Sequence, residues 1–186
     1  DRVEYLSLPL IKDRDYLLIR DRKISKDWNY KKIKICKSLE QLLRKRPNFS
    51  RGIKLCKEIF NYKDTNLFNF VHHSILKICK EIEISTKIVK SSSLGDFRHF
   101  KGEKKIIEIC KSLNADRYIN VTAGEKLYNR NEFKVNGLDI KFIKSNFDPY
   151  DQFNAAFVPE LSIIDMIFSM TNKSEIQKQI NNFKLI

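Results

Sequence analysis

The chain has 186 residues, enough for one domain with its own apolar core. Hydrophobic residues make up 42% and charged residues 32%, which excludes wholesale disorder, and the apolar runs are far too short to span a membrane. Lysine plus arginine is 36 against 23 Asp plus Glu, a net charge of +13. Such an excess points to anionic partners, unless the lysines merely solvate helix faces.

The sequence opens on Asp1-Arg2-Val3-Glu4, without an initiating Met or the apolar core of a signal peptide. The expectation is therefore a piece of a longer protein, read as one α/β domain over 1–186. Cys36, Cys56, Cys79 and Cys110 are scattered singly among apolar neighbours, with no CxxC or CxxH pair. That usage predicts small core residues in a reducing, cytoplasmic compartment.

In chain order, Arg2 to Ile11 and Tyr16 to Arg20 read as two strands of a hairpin around the polar turn Lys12-Asp13-Arg14-Asp15, with Pro9 at an edge. Asp27 is the expected N-cap of a helix from Trp28 to about Arg46, stopped by Pro47, with Ile35, Leu39, Leu42 and Leu43 inward. Ser50 is expected to cap a short helix from Ile53 to Phe60. Leu67 to Ile82 carries the cleanest helical stripe, through Phe70, Val71, Ser74, Ile75 and Ile78. Ile84 to Val89 reads as a strand, and Ser91-Ser92-Ser93-Leu94-Gly95 follows as a loop. Glu103 to Leu113 reads as a helix. Tyr118 to Val121 reads as a strand that runs into a small-residue turn, Thr122-Ala123-Gly124, then a polar insert ending at Gly137. Leu138 to Ile143 is a strand, Phe147 to Phe157 an irregular aromatic loop, Ser162 to Met170 an apolar helix, and Lys173 to Phe183 a polar closing helix.

This order predicts an α/β fold: a mixed sheet with a parallel βαβ core, placed at Ile84 to Ile119, and flanking helices. Ligands of such sheets bind beyond the carboxyl ends of the strands. The Ser91–Gly95 loop and the Thr122-Ala123-Gly124 turn both follow predicted strands, so a two-loop site is expected there, with Asn120 and Tyr128 in reach. No GxGxxG, Walker loop or GxSxG elbow is present, and the cofactor is left open. His72 and His73 are adjacent rather than at the spacing a helical metal site needs. His99, between Arg98 and Lys101, can contact an anion or act as a base if shielded. Asp165 lies in an apolar helix, Ile163-Ile164-Asp165-Met166-Ile167, where a carboxylate is expected to meet an Arg or backbone N–H groups, or to be functional. Trp28 reads as a core residue.

Several of these segments together resemble the WbqC-like family of bacterial surface-polysaccharide clusters. They are KSSSLG at Lys90 to Gly95, IIEICKSLNADRYIN at Ile106 to Asn120, AGEKLY at Ala123 to Tyr128, GLDIKFI at Gly137 to Ile143, PYDQF at Pro149 to Phe153, and FVPELSIIDMIF at Phe157 to Phe168. A weaker likeness extends upstream through EYLSLPL and the RPNF at Arg46 to Phe49. The resemblance implies a missing N-terminal segment with an HQPxYLPW-like motif. It also implies a role in O-antigen or related lipopolysaccharide synthesis, as a transferase placing an acyl or aminoacyl group on a nucleotide-linked amino sugar. The matching site positions are Ser92, Ser93, Gly124, Tyr128, Tyr150, Gln152, Ser162 and Asp165. On this reading the serines and Gly124 hold donor or sugar, Tyr128 and Gln152 orient it, and Asp165 positions or accepts a proton. The alternatives are a nucleic-acid-binding module, suggested by charge, and a non-catalytic sugar-binding or scaffold domain. Oligomeric state is left open.

Overall fold

A computed structural model describes residues 3–153 and 156–186. Its helices are α1 (Trp28–Leu43), α2 (Phe49–Phe60), α3 (Leu67–Glu81), α4 (Gly102–Ser112), α5 (Arg130–Val135), α6 (Ile163–Ser169) and α7 (Lys173–Ile180). Three strands, β1 (Arg117–Val121), β2 (Asp139–Ser145) and β3 (Phe183–Leu185), form one mixed sheet. The chain gathers into two compact units. The first takes in residues up to Ser85 and Pro149–Lys178, and the second Thr86–Asp148 and Gln179–Ile186.

The first unit is helical. Trp28 opens α1 and is buried, its ring edge-on to Phe60 and Phe70 and its indole N–H donating to the Phe60 carbonyl. In α2 the buried positions Gly52, Ile53, Leu55, Cys56, Ile59 and Phe60 repeat at the helical period. Gly52 lets α6 approach closely: a Cβ there would lie 2.6 Å from the Phe168 ring, which is fully buried. In α3, Phe70 is buried, whereas Val71 and Ile75 of the predicted stripe are exposed.

The second unit carries the sheet. β2 is central, parallel to β1 (Arg117 beside Asp139, Val121 beside Ile143) and antiparallel to β3 (Ile143 beside Leu185). The crossover from β1 to β2 is a 3-10 segment, Thr122–Leu127, followed by α5. Ile107 and Cys110 of α4 pack with Phe133 of α5 and with Leu138, Ile140 and Phe142. These apolar positions alternate along β2, which sends one face into the core.

The parallel βαβ unit is thus present, one strand later than predicted. Ile84 to Val89 forms no strand; it passes from one unit to the other, with Ile88 and Val89 exposed. Six residues with apolar ends are a weak signal, and a strand needs a neighbour for its N–H and C=O groups. The polar insert before Gly137 is α5, capped by the Asn129 side chain accepting from Asn131 N–H. β3 was not expected. The predicted N-terminal hairpin is also replaced. The segments about Tyr5 and Tyr16 are exposed, and Leu10 instead bridges to Ile24, with the Ile11 N–H donating to the Lys23 carbonyl at 2.9 Å. Arg2, within that predicted strand, lies outside the described residues, as do Asn154 and Ala155 of the aromatic loop.

Two caps shift as well. Asp27 already has helical backbone angles, and the Ser25 carbonyl and hydroxyl accept the Trp28 and Asp27 N–H groups. Ser50 lies inside α2, whose first turn closes on the Asn48 carbonyl, 3.0 Å from the Gly52 nitrogen. Leu42 is exposed rather than inward. All four cysteines are free. Cys56 and Cys110 are buried, and burial pushes the Cys56 thiol up to about 12. Among the described residues, no helix is long and apolar enough to cross a membrane.

Candidate functional site

The first unit brings Tyr150 and Asp165 together, with an arginine between α1 and α2. Ser162 caps α6 by accepting the Ile164 N–H at 3.3 Å, which starts the helix and puts Asp165 in its first turn. A carboxylate is favoured there by the helix dipole. Its side chain is 13% exposed and faces Arg46, itself only 6% exposed, with 3.4 Å between Arg46 Nη2 and Asp165 Oδ1. The Tyr150 hydroxyl donates to Asp165 Oδ2 at 2.7 Å. Arg46 is held on two further sides: Nη1 donates to Ser169 Oγ at 2.8 Å, and the guanidinium lies 5.4 Å from the Phe153 ring centre.

Burial pushes the Tyr150 phenol up to about 12; the Gln152 side chain opposes this, and the hydrogen bond to Asp165 adds to it. Tyr150 is therefore a neutral donor at physiological pH, and Asp165 has a guanidinium on one oxygen and a phenol on the other. Each carboxylate oxygen has a second acceptor position, so the group can still take a proton or an N–H from a ligand. Gln152 is 3% exposed and spends its amide on the loop: it accepts the Val158 N–H at 2.7 Å and donates to the Val158 carbonyl at 2.8 Å. It fixes the residues on which Tyr150 and Phe153 sit.

In the second unit Gly124 and Tyr128 meet at the carboxyl end of β1. Asn120 Nδ2 donates to the Tyr128 hydroxyl at 3.2 Å, and the Tyr118 and Tyr128 hydroxyls lie 3.3 Å apart. A Cβ on buried Gly124 would be 2.9 Å from Asn120 Nδ2. In β1 the half-buried residues are Tyr118 and Asn120, while Ile119 and Val121 are exposed. The inward face therefore carries hydrogen-bonding groups at the sheet edge where ligands of parallel strands bind. Burial, then the hydrogen bond to Tyr128, raises the Tyr118 phenol above the ordinary tyrosine range.

Ser92 and Ser93 lie on an exposed 3-10 turn, with Ser93 Oγ donating to the Lys90 carbonyl at 2.7 Å. Because no strand precedes that turn, the geometric reason for pairing it with the Thr122–Gly124 turn is lost. His99 is exposed, its ring 4.1 Å from that of Phe100, so the shielding a basic histidine needs is missing. Beside it, Arg98 holds the Asp96 carboxyl well below the usual range. His72 and His73 stack on different rings, Phe68 and Tyr62. Among the described residues no group of three or more His, Cys, Asp or Glu gathers as a metal site would need.

Compared with known families, residues 1–177 match the model of the WbqC-like protein family. The chain belongs to that family. Searches of curated proteins and of solved structures found no match. The match reaches well upstream of Ile84 and takes in Arg46, the residue of this WbqC-like site that sequence reasoning left off its site positions. Two signals pointed to it: an acid in an apolar helix is expected to meet an Arg or backbone N–H groups, and RPNF was among the resembling segments. That Arg46 is the partner could be read only from the packing of α6 against α2.

Proposed function

We propose that this WbqC-like chain is a cytoplasmic enzyme of bacterial surface-glycan (O-antigen) synthesis. It transfers an acyl or aminoacyl group to the amino group of a nucleotide-linked amino sugar. The observation that carries the reading is the Arg46–Asp165–Tyr150 cluster. An amine that attacks an activated acyl carbon must shed a proton as the C–N bond forms and the donor's leaving group departs. Asp165 accepts that proton, Arg46 faces its Oδ1 and Tyr150 orients it by donating to its Oδ2. Family membership supports the glycan setting, and the net charge of +13 suits a diphosphate-bearing substrate. Free, scattered thiols fit a reducing compartment. Exposed His99 takes no catalytic part in this reading.

The test is a thermal-shift screen of UDP- and dTDP-linked amino sugars, acyl donors and short DNA, followed by mass spectrometry of the acylated sugar. Nucleotide amino sugars should raise the melting temperature and DNA should not. Asp165→Asn should lower turnover by about 10²- to 10⁴-fold, the range for a lost general base, with binding changed little. Tyr150→Phe should lower turnover less. A shift with DNA alone, or unchanged turnover in folded Asp165→Asn protein, overturns the proposal.

A further inference from the structure

A groove between α2 and α3, about 410 Å³ in volume, lies within the first unit. Such a volume suits a small ligand. Its lining sets five cations, Arg51, Lys54, Lys77, Lys80 and Lys173, against two carboxylates, Glu58 and Glu81, a formal excess of three positive charges. Three of the cations already have partners. Arg51 pairs with Glu81 through Nε and donates from Nη2 to the Glu81 carbonyl, Lys77 Nζ sits 2.9 Å from Glu58 Oε2, and Lys173 pairs with Glu83. Lys54 and Lys80 are exposed and form no ion pair among the described residues. Both lie close enough to Glu58 to help Lys77 hold its carboxyl below the ordinary range. Two unneutralised ammonium groups, one from each helix, thus face one recess that already holds a third.

We infer that this groove is a binding site for a small molecule carrying two or more phosphate charges, a diphosphate above all, with Lys54 and Lys80 as its principal partners. The chemistry selects that class. The only guanidinium of the lining among the described residues is committed to Glu81, so the fork that suits carboxylates is taken. Lysine ammonium groups act as mobile point charges and suit phosphate. No aromatic side chain lines the groove, so it offers no platform for stacking a base, and a single-stranded nucleic acid would lack its usual anchor. The ligand is held by its phosphates rather than by its base. The inference is separate from the acyl-transfer reading, since it concerns only where a phosphorylated molecule docks.

Titration calorimetry of the full chain at physiological ionic strength tests it, with inorganic pyrophosphate, UDP and a short single-stranded oligonucleotide as probes. Pyrophosphate and UDP should bind with similar affinity. The Lys54→Gln/Lys80→Gln double variant should weaken both about tenfold or more, the scale of losing charge-assisted contacts. A control with equal charge loss, Lys12→Gln/Lys37→Gln, should bind as the wild type does. Circular dichroism should show both variants folded, since they change exposed side chains that form no ion pair among the described residues. The inference is overturned if pyrophosphate fails to bind, if control and groove variants lose affinity equally, or if only the oligonucleotide binds. Acyl transfer can fail while pyrophosphate still binds, and the groove can fail while Asp165-dependent turnover persists, so the two proposals fall separately.

Discussion

Neutralising Asp165 alone puts the largest strain on the site. Asp165→Asn keeps the shape of the side chain and leaves Arg46, 6% exposed, without its counter-charge. Removing one partner of a buried pair costs about 3–5 kcal/mol, because the remaining charge has neither water nor a partner. Here the lower end is expected. The nitrogen–oxygen distance is 3.4 Å, and Arg46 keeps Ser169 and the Phe153 ring. A loss of about 3 kcal/mol corresponds to a fall in melting temperature of roughly 6–12 °C for a chain of this size. Circular dichroism melting of four proteins measures it: wild type, Asp165→Asn, Arg46→Met and the double variant. Removing both charges should recover part of the loss, giving a coupling of about 1 kcal/mol or more. If Asp165→Asn melts with the wild type, or the two single effects simply add, the pair is not coupled and the electrostatic account of the site fails.

Gly52→Ala should destabilise the first unit by about 1–2 kcal/mol in urea unfolding, since overpacking outweighs the better helix propensity of alanine. The added methyl would sit 2.6 Å from a fully buried ring that has no room to retreat, and a variant as stable as the wild type would refute that packing. The Tyr150 phenol gives an alkaline signature. It titrates near 10 when unfolded and is pushed up to about 12 when folded. Between those values the unfolded chain releases the proton first, so its contribution is full below pH 10 and is lost as pH rises towards 12. Tyr150→Phe should be less stable than the wild type at pH 8, by about 1 kcal/mol for the lost hydrogen bond. The gap should close as pH rises through that window, and a gap that widens instead would contradict the assignment.

Local chemistry carried much of the helical part of this protein into the sequence. Leu67 to Ile82 was legible as a helix because apolar residues at the 3.6 period have one good solution, although the exposed Val71 and Ile75 reveal that the period did not say how much of the stripe is covered. Trp28 as core and Ser162 at the start of α6 followed from side-chain chemistry alone. The strands fared worse. Arg2 to Ile11, Tyr16 to Arg20 and Ile84 to Val89 read as strands, yet a strand exists only where another backbone takes up its hydrogen bonds. That is decided by chain segments far apart in sequence, as when β3 adds to β2 from the end of the chain.

The site divides in the same way. That a carboxylate at position 165, inside an apolar helix, must meet a cation or backbone N–H groups was fixed by the cost of burying charge, and family likeness singled out Tyr150 and Asp165 before any geometry was known. Only the tertiary structure chose Arg46 as the cation, spent the Gln152 amide on Val158, and put Tyr118, Asn120 and Tyr128 on one hydrogen-bonded edge. The sequence by itself determined which groups needed partners, because desolvation is a property of the residue and its neighbours. Which partners they found depended on how helices and strands remote in sequence pack, and that is a property of the whole fold.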